Sequence, residues 1–355
     1  MGRSDAPVGR SDAPVGRSDA PVVTFGVMLR PGQFPLAHTL ACLRVAEDVG
    51  FEHAWFGDSH LIWHETGPYF TAAAMSTTRL RIGPLVANPV TRDPTVLASS
   101  LATLGDLFDG RAVIGLGRGD SAVRTLNRKP MTVPEFRETL RIIRALARGD
   151  EVALDGTTIR LAWLRHRVPV LVAAYGPRVL ALAGEEADGL ILQLASPSIV
   201  EWAVAQARRA AEKAGRAWSE YEVVAAAPSY LSADRAHALS RVRGFPATVS
   251  NHVKDVLRQH AAADLPADLV EGMEKIAGYD YLKHGHADAP HVRAVTDDMA
   301  DRLTLIGTVE QVRAKIARLV EAGVTQICLY LGVVEREHHF SLLETYGREI
   351  MPAFR

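Results

Sequence analysis

Three short stretches of this sequence place glycines beside polar groups that could do chemistry. At 57–63, "GDSHLIW" sets a carboxylate, a hydroxyl and an imidazole at Asp58, Ser59 and His60. An imidazole titrates near neutrality, so His60 could donate or accept a proton at a substrate. At 115–121, "GLGRGDS" spaces Gly115, Gly117 and Gly119 by two and follows them with Asp120. A dinucleotide cradle needs Gly-x-Gly-x-x-Gly in the chain's first βαβ unit, with an acidic partner about twenty residues on. Position 122 is alanine and the stretch lies well inside the chain, so the pattern fails. At 173–178, "AAYGPR" ends an apolar run and opens a helix with Pro177 at its first position. The amides of Gly176 and Arg178, with the helix dipole, could hold a phosphate, or the segment could be a tight turn only.

Alternating apolar runs and helical stretches must position these groups. Candidate strands lie at 22–29, 51–60, 80–89, 110–121, 168–176, 188–194, 221–231 and 324–333. Helical patterns fall at 35–50, 94–108, 133–147, from Pro177 onward, at 198–214 and near 339–349, and 151–161 reads as a small hairpin around Asp155-Gly156. Eight βα units fit an α/β fold, a (β/α)8 TIM barrel with insertions, the largest between strands seven and eight at 242–305 with no clear strand of its own. One domain spans 23–355. Residues 1–22 hold three copies of "GRSDAPV", whose Gly and Pro oppose helix, and are expected to be a flexible tail. Barrel active sites sit at the C-terminal strand ends, and the three glycine-rich stretches fall on that rim.

Composition narrows the function classes. The 355 residues are 48% hydrophobic and carry 40 Lys and Arg against 41 Asp and Glu, which offers no broad basic footprint for nucleic acid or anionic membrane. Without an apolar run of membrane length or a signal-peptide pattern, a cytoplasmic protein is expected. Cys42 and Cys328 lack ligand-like spacing, and "HGH" at 284–286, with Asp288 and His291, lacks a matched second pair, so no metal is expected.

Five segments in order, "VAEDVGFEHAWFGDSH", "LRIGPLVANPVTRDP", "GRAVIGLGRGDS", "PVLVAAYGPRVLALAGEEADGLIL" and "GTVEQVRAKIARLVEAGVTQICLYL", resemble the luciferase-like monooxygenase superfamily. The resemblance covers 23–355 and is nearest to the branch of F420-dependent oxidoreductases that includes methylene-tetrahydromethanopterin reductase. It implies a flavin-type cofactor, coenzyme F420 or FMN, and a small organic substrate. It places the cofactor phosphate at Ala174, Tyr175, Gly176, Pro177 and Arg178, and a cis peptide at Leu85–Val86 beneath the ring, with Asn88 beside it.

The same resemblance puts Asp58, Ser59, Gly117, Arg118, Gly119 and Gln193 near the cofactor. His60 and Asp120 become catalytic candidates, and Trp63, His64, Tyr279, Tyr281 and His284 pocket candidates. Ser59 separates Asp58 from His60, a departure from the adjacent Asp-His of the deazaflavin dehydrogenases. Asn88 could instead cap an Asn-Pro turn, and Asp120 could cap a helix. The glycines of "GLGRGDS" read as room for a ring to approach the backbone. F420 implies a reductase or dehydrogenase. FMN implies a monooxygenase fed by a separate flavin reductase. Homodimers are expected of the family. The competing classes are a barrel hydrolase using Asp58 with Asp120 and a non-catalytic flavin-binding protein.

Overall fold

The computed structural model describes residues 23–276, 278–284 and 288–355; the repeats within 1–22 and His286 lie outside them. In chain order the elements begin with β1 (Thr24–Leu29), α1 (Leu36–Asp48), β2 (His53–Phe56), α2 (Gly67–Ser76), β3 (Arg81–Pro84) and α3 (Pro94–Leu107). Next come β4 (Ile114–Leu116), α4 (Ser121–Arg124), α5 (Val133–Arg148), the hairpin strands β5 (Val152–Leu154) and β6 (Thr157–Ile159), β7 (Val170–Ala173), α6 (Pro177–Glu186), β8 (Gly189–Leu192) and α7 (Pro197–Lys213). The last third holds β9 (Glu222–Leu231), α8 (Arg235–Val242), α9 (Gly244–Leu257), α10 (Ala267–Val270), α11 (Asp297–Leu303), β10 (Leu305–Gly307), α12 (Val309–Glu321), β11 (Gln326–Tyr330) and α13 (His339–Thr345).

Eight parallel strands run in the order β3-β2-β1-β11-β9-β8-β7-β4, and bridges Ile82–Ala112 and Ala87–Leu116 bring β3 against β4, so the sheet closes as a TIM barrel. Local chemistry explains where elements begin. Asp93 accepts from the amides of Thr95 and Val96 and Pro94 opens α3, while Thr132 and Glu135 form a reciprocal capping box on α5. Asp155 and Gly156 both take positive φ, as a tight two-residue hairpin turn requires.

The segment expected to lack a strand differs. It is largely helical, and β10, beginning at Leu305, pairs with the outer end of β9. Three residues are too few for a strand period to show in sequence.

The barrel interior is apolar except at its N-terminal end. There Gln326 Oε1 accepts from Trp55 Nε1 (2.8 Å) and Gln326 Nε2 donates to His53 Nδ1 (3.0 Å). Burial holds His53 down at about 3, well below an ordinary histidine, and the Arg81 charge adds to this.

The glycines of "GLGRGDS" are held to their small size by neighbouring protein atoms, and Gly117 and Gly119 also line the cavity at the barrel mouth. A Cβ on Gly115 would stand 2.3 Å from the Pro84 carbonyl oxygen, one on Gly117 2.9 Å from Val86 Cγ2, and one on Gly119 2.5 Å from Val123 Cγ2. Protein atoms fill that space. Gly115 and Gly117 let β4 pass close to the chain at 84–86, which is how the barrel closes.

Candidate active site

A cavity opens at the C-terminal mouth of the barrel, where the βα loops converge. Its lining includes Asp58, Ser59, Trp63, Leu85, Val86, Asn88, Gly117, Arg118, Gly119, Asp120, Ala174, Tyr175, Gly176, Arg178, Gln193 and His284. The rim residues singled out from sequence therefore converge, with informative exceptions.

The peptide bond between Leu85 and Val86 is cis, at the position the resemblance indicates. Asn88 caps the turn that follows, its Oδ1 accepting from the amides of Val90 (3.2 Å) and Thr91 (3.1 Å) while the residue also lines the cavity. Asp58 is buried and binds Arg92 through both carboxylate oxygens; Arg92 also reaches Glu65. A carboxylate so committed is a poor proton carrier, and it orients the loop. Ser59 Oγ lies 2.7 Å from Ser121 Oγ, which joins the β2 and β4 loops.

His60 is not among the cavity-lining residues. It stands in the turn at 60–62, between the lining residues Ser59 and Trp63. His64 also lies outside the cavity and its Nδ1 is 3.1 Å from the Tyr69 hydroxyl. Trp63 does line it, and the Arg30 guanidinium stands 5.5 Å from the Trp63 ring and 4.8 Å from that of Tyr330. Burial lowers Arg30 to about 10.

Asp120 sits at the centre of the polar wall. Oδ1 accepts from Arg124 Nε (3.1 Å) and Asn251 Nδ2 (2.9 Å). Oδ2 is buried and accepts no hydrogen bond among the described residues, His252 Nε2 being 3.6 Å away. Its side chain makes no cap on α4. Arg118 Nε donates to the Met131 carbonyl (2.6 Å), and Arg124 also pairs with Asp255.

The 173–178 loop keeps the arrangement its sequence suggested. Gly176 is the N-cap of α6, Pro177 opens it, and neither the Gly176 nor the Arg178 amide donates to an acceptor among the described residues. Pro177 itself does not line the cavity. Tyr175 stacks on His252 with ring centroids 4.8 Å apart and its hydroxyl faces Gln193 Oε1 (3.5 Å); burial raises the phenol above its ordinary value.

Helix α9 was missed as a wall of the site. Thr248, His252 and Asp255 recur every three to four residues along it, Gln259 follows in the turn after its last residue, and all four line the cavity, a one-face spacing visible in the sequence. Tyr279 and Tyr281 stand behind that wall. Tyr279 bonds His284 Nδ1 (2.7 Å) and stacks on His291, and the Tyr281 hydroxyl donates to Asn251 Oδ1 (3.1 Å).

The residues fit a flavin-type cofactor. Leu85, Val86 and Ala174 give apolar wall for a ring, unclaimed amides stand at Gly176 and Arg178 for a phosphate, and Asp120 lines the same cavity with its buried Oδ2 accepting no hydrogen bond among the described residues.

Residues 22–326 match the luciferase-like monooxygenase family. The 5,10-methylenetetrahydromethanopterin reductase of Methanolobus tindarius is 32% identical over 86% of this chain and 93% of its own. The F420-dependent glucose-6-phosphate dehydrogenase of Beutenbergia cavernae is 29% identical over 91% of this chain and 95% of its own. The structure of coenzyme F420-dependent tetrahydromethanopterin reductase from Methanopyrus kandleri superposes with a TM-score of 0.72 at 27% identity, covering 94% of this chain and all of that one. With the fold, the site at the barrel mouth and a match this long in agreement, the chain belongs to the luciferase-like monooxygenase family.

Proposed function

We propose that this protein is a coenzyme F420-dependent oxidoreductase that moves a hydride between the deazaflavin and a small organic substrate. The carrying observation is the cavity at the barrel mouth, apolar along Leu85, Val86 and Ala174 and lined on its polar side by Asp120. The full-length likeness to reductases and dehydrogenases named for F420 supports it. When bound, F420 supplies two-electron hydride chemistry at a ring carbon.

The chain's own residues do the rest. The amides of Gly176 and Arg178, with the Arg178 side chain, hold the cofactor phosphate. Leu85, Val86 and Asn88 support the ring. Asp120 Oδ2 gives or takes the proton at the substrate heteroatom while Arg124 and Asn251 fix Oδ1. Trp63 and His284 close the substrate side. His60 is left out of the chemistry by its place beside the cavity. The homodimer that the resemblance implies and the cytoplasmic setting expected from composition belong to this proposal.

The test is a titration with F420 and with FMN, followed by a turnover screen with the tighter ligand. F420 binding below about 100 μM, worth roughly 5–6 kcal/mol, with substrate-dependent bleaching or recovery of its absorbance is the expected result. Tighter FMN binding with oxygen-dependent turnover of reduced FMN would make the chain a monooxygenase fed by a flavin reductase instead.

A further inference from the structure

Behind the loops that follow β1 and β11, and outside the cavity lining, three metal-ligand side chains meet. His38 and Cys42 are four residues apart on α1, so one face of the helix presents both. His339 opens α13, and the fold carries it across 301 positions of sequence to meet them. His38 is 8% exposed, Cys42 and His339 not at all.

The geometry is that of a tetrahedral face. His38 Nε2 lies 3.1 Å from His339 Nδ1, and Cys42 Sγ lies 3.4 Å from the first and 3.7 Å from the second. An ion bonded to nitrogen at about 2.0–2.1 Å and to sulfur at about 2.3 Å holds its nitrogens roughly 3.3–3.4 Å apart and each nitrogen roughly 3.5–3.6 Å from the sulfur. Every observed edge lies within about 0.3 Å of those values.

The surroundings set the ligands' roles. His339 Nε2 is 3.1 Å from the Val334 carbonyl oxygen. Its N–H donates there, which leaves the Nδ1 lone pair facing the cluster, the arrangement in which a backbone carbonyl orients a metal-binding imidazole. Phe34 stands edge-on to the His339 ring at 4.8 Å, and Phe340 packs against His38 at 5.3 Å, so neither imidazole is free to turn away.

We propose that His38, Cys42 and His339 form a binding site for a thiophilic divalent cation, Zn2+. Two imidazoles and a thiolate select it against Mg2+ and Ca2+, which take oxygen ligands. Binding releases the Cys42 thiol proton, and a water entering along the exposed edge of His38 fills the fourth position. The ion ties α1 to α13, the first helix to one of the last. The loops leading into those helices carry Arg30 and Tyr330 to the cavity wall and already meet where Gln33 Nε2 donates to the Gly332 carbonyl (2.8 Å). The site is therefore a staple for that wall. His38 stands one turn before Cys42 in the sequence, but the third ligand, His339, is 297 positions from Cys42, so the sequence alone does not bring the set together.

The probe is Co2+, titrated anaerobically into the reduced full-length chain, then displaced with Zn2+. One Co2+ per chain with a thiolate-to-cobalt charge-transfer band, lost on adding Zn2+, is the expected result. The chain has two cysteines, so Cys328→Ser assigns the ligand even where Cys42→Ser fails to fold: a band that persists in Cys328→Ser comes from Cys42. In a folded Cys42→Ser the band disappears, and Zn2+ no longer raises the Tm as it does in the unsubstituted protein. Absence of the band in the unsubstituted protein at saturating Co2+, or its loss in a folded Cys328→Ser, overturns the proposal and leaves a hydrogen-bonded trio. This outcome is independent of F420 binding.

Discussion

Asp120 and Asn251 meet across the mouth of the barrel, where the Asn251 side-chain amide donates to Asp120 Oδ1 at 2.9 Å. One comes from the loop after β4 and the other from α9, so the insertion fixes one oxygen of a carboxylate that belongs to the cavity wall. Asp120→Asn keeps the shape and removes the proton site. It lowers kcat by about 10²–10⁴-fold, the usual worth of a general acid or base. The F420 dissociation constant should stay unchanged in a fluorescence titration, and a variant with full kcat would remove Asp120 from the chemistry.

His60 and Asp58 separate by position. His60→Ala leaves kcat and KM unchanged in steady-state assays, because the ring lies outside the cavity lining. Asp58→Ala strips the Arg92 guanidinium of its buried partner while leaving it Glu65. A loss of about 1–3 kcal/mol in urea unfolding is expected, and no loss would show the pair to be ornamental.

Arg178 should act on binding more than on chemistry. Arg178→Ala weakens F420 about tenfold, some 1.4 kcal/mol, if the phosphate sits at the start of α6. The deficit shrinks as salt is raised, since a screened charge is what was removed. Isothermal titration at two ionic strengths reads both effects.

Much of this was legible from sequence, and the failures share a cause. The eight strands, the Asp155-Gly156 hairpin and the helix opening at Pro177 are written in local period and turn chemistry. The roles of Gly115 and Gly117 were not, because they answer to Pro84 and Val86 on a strand some thirty residues away. Asp58 looked chemical until Arg92 was seen to occupy both of its oxygens. The recurrence of Thr248, His252, Asp255 and Gln259 was visible, but nothing local says which way an insertion helix turns.

Glycine substitutions grade the closing seam. Gly115→Ala puts a methyl group 2.3 Å from the Pro84 carbonyl oxygen, a backbone atom that cannot move aside, whereas Gly156→Ala meets nothing within 4 Å. The first should cost more than the 1–3 kcal/mol (roughly) of ordinary overpacking. The second should cost about 1 kcal/mol, through its positive φ alone. Thermal unfolding of the pair tests the order.

Acid should act through His53. Its folded value of about 3 lies below the ordinary 6.5, so between those pH values the unfolded chain binds more protons and stability falls as pH drops. The slope approaches about 1.4 kcal/mol per pH unit. His53→Gln, which keeps a polar side chain beside Gln326, should flatten the curve in that window and leave the slope near pH 8 unchanged. Urea midpoints measured across the window decide it.

The strand order also dictates a schedule for synthesis. β1 pairs with β2 on one side and with β11 on the other, and the β3–β4 seam is held by the bridges Ile82–Ala112 and Ala87–Leu116 and the backbone hydrogen bonds around them. A nascent chain that has emerged past β9 holds two sheet fragments joined at the β3–β4 seam alone, and an exposed edge on β1. Only when residues 326–330 leave the ribosome can the ring be drawn shut. Of these eight strands the one made last is the one the first has been waiting for, so chaperone demand should be greatest just before residues 326–330 emerge.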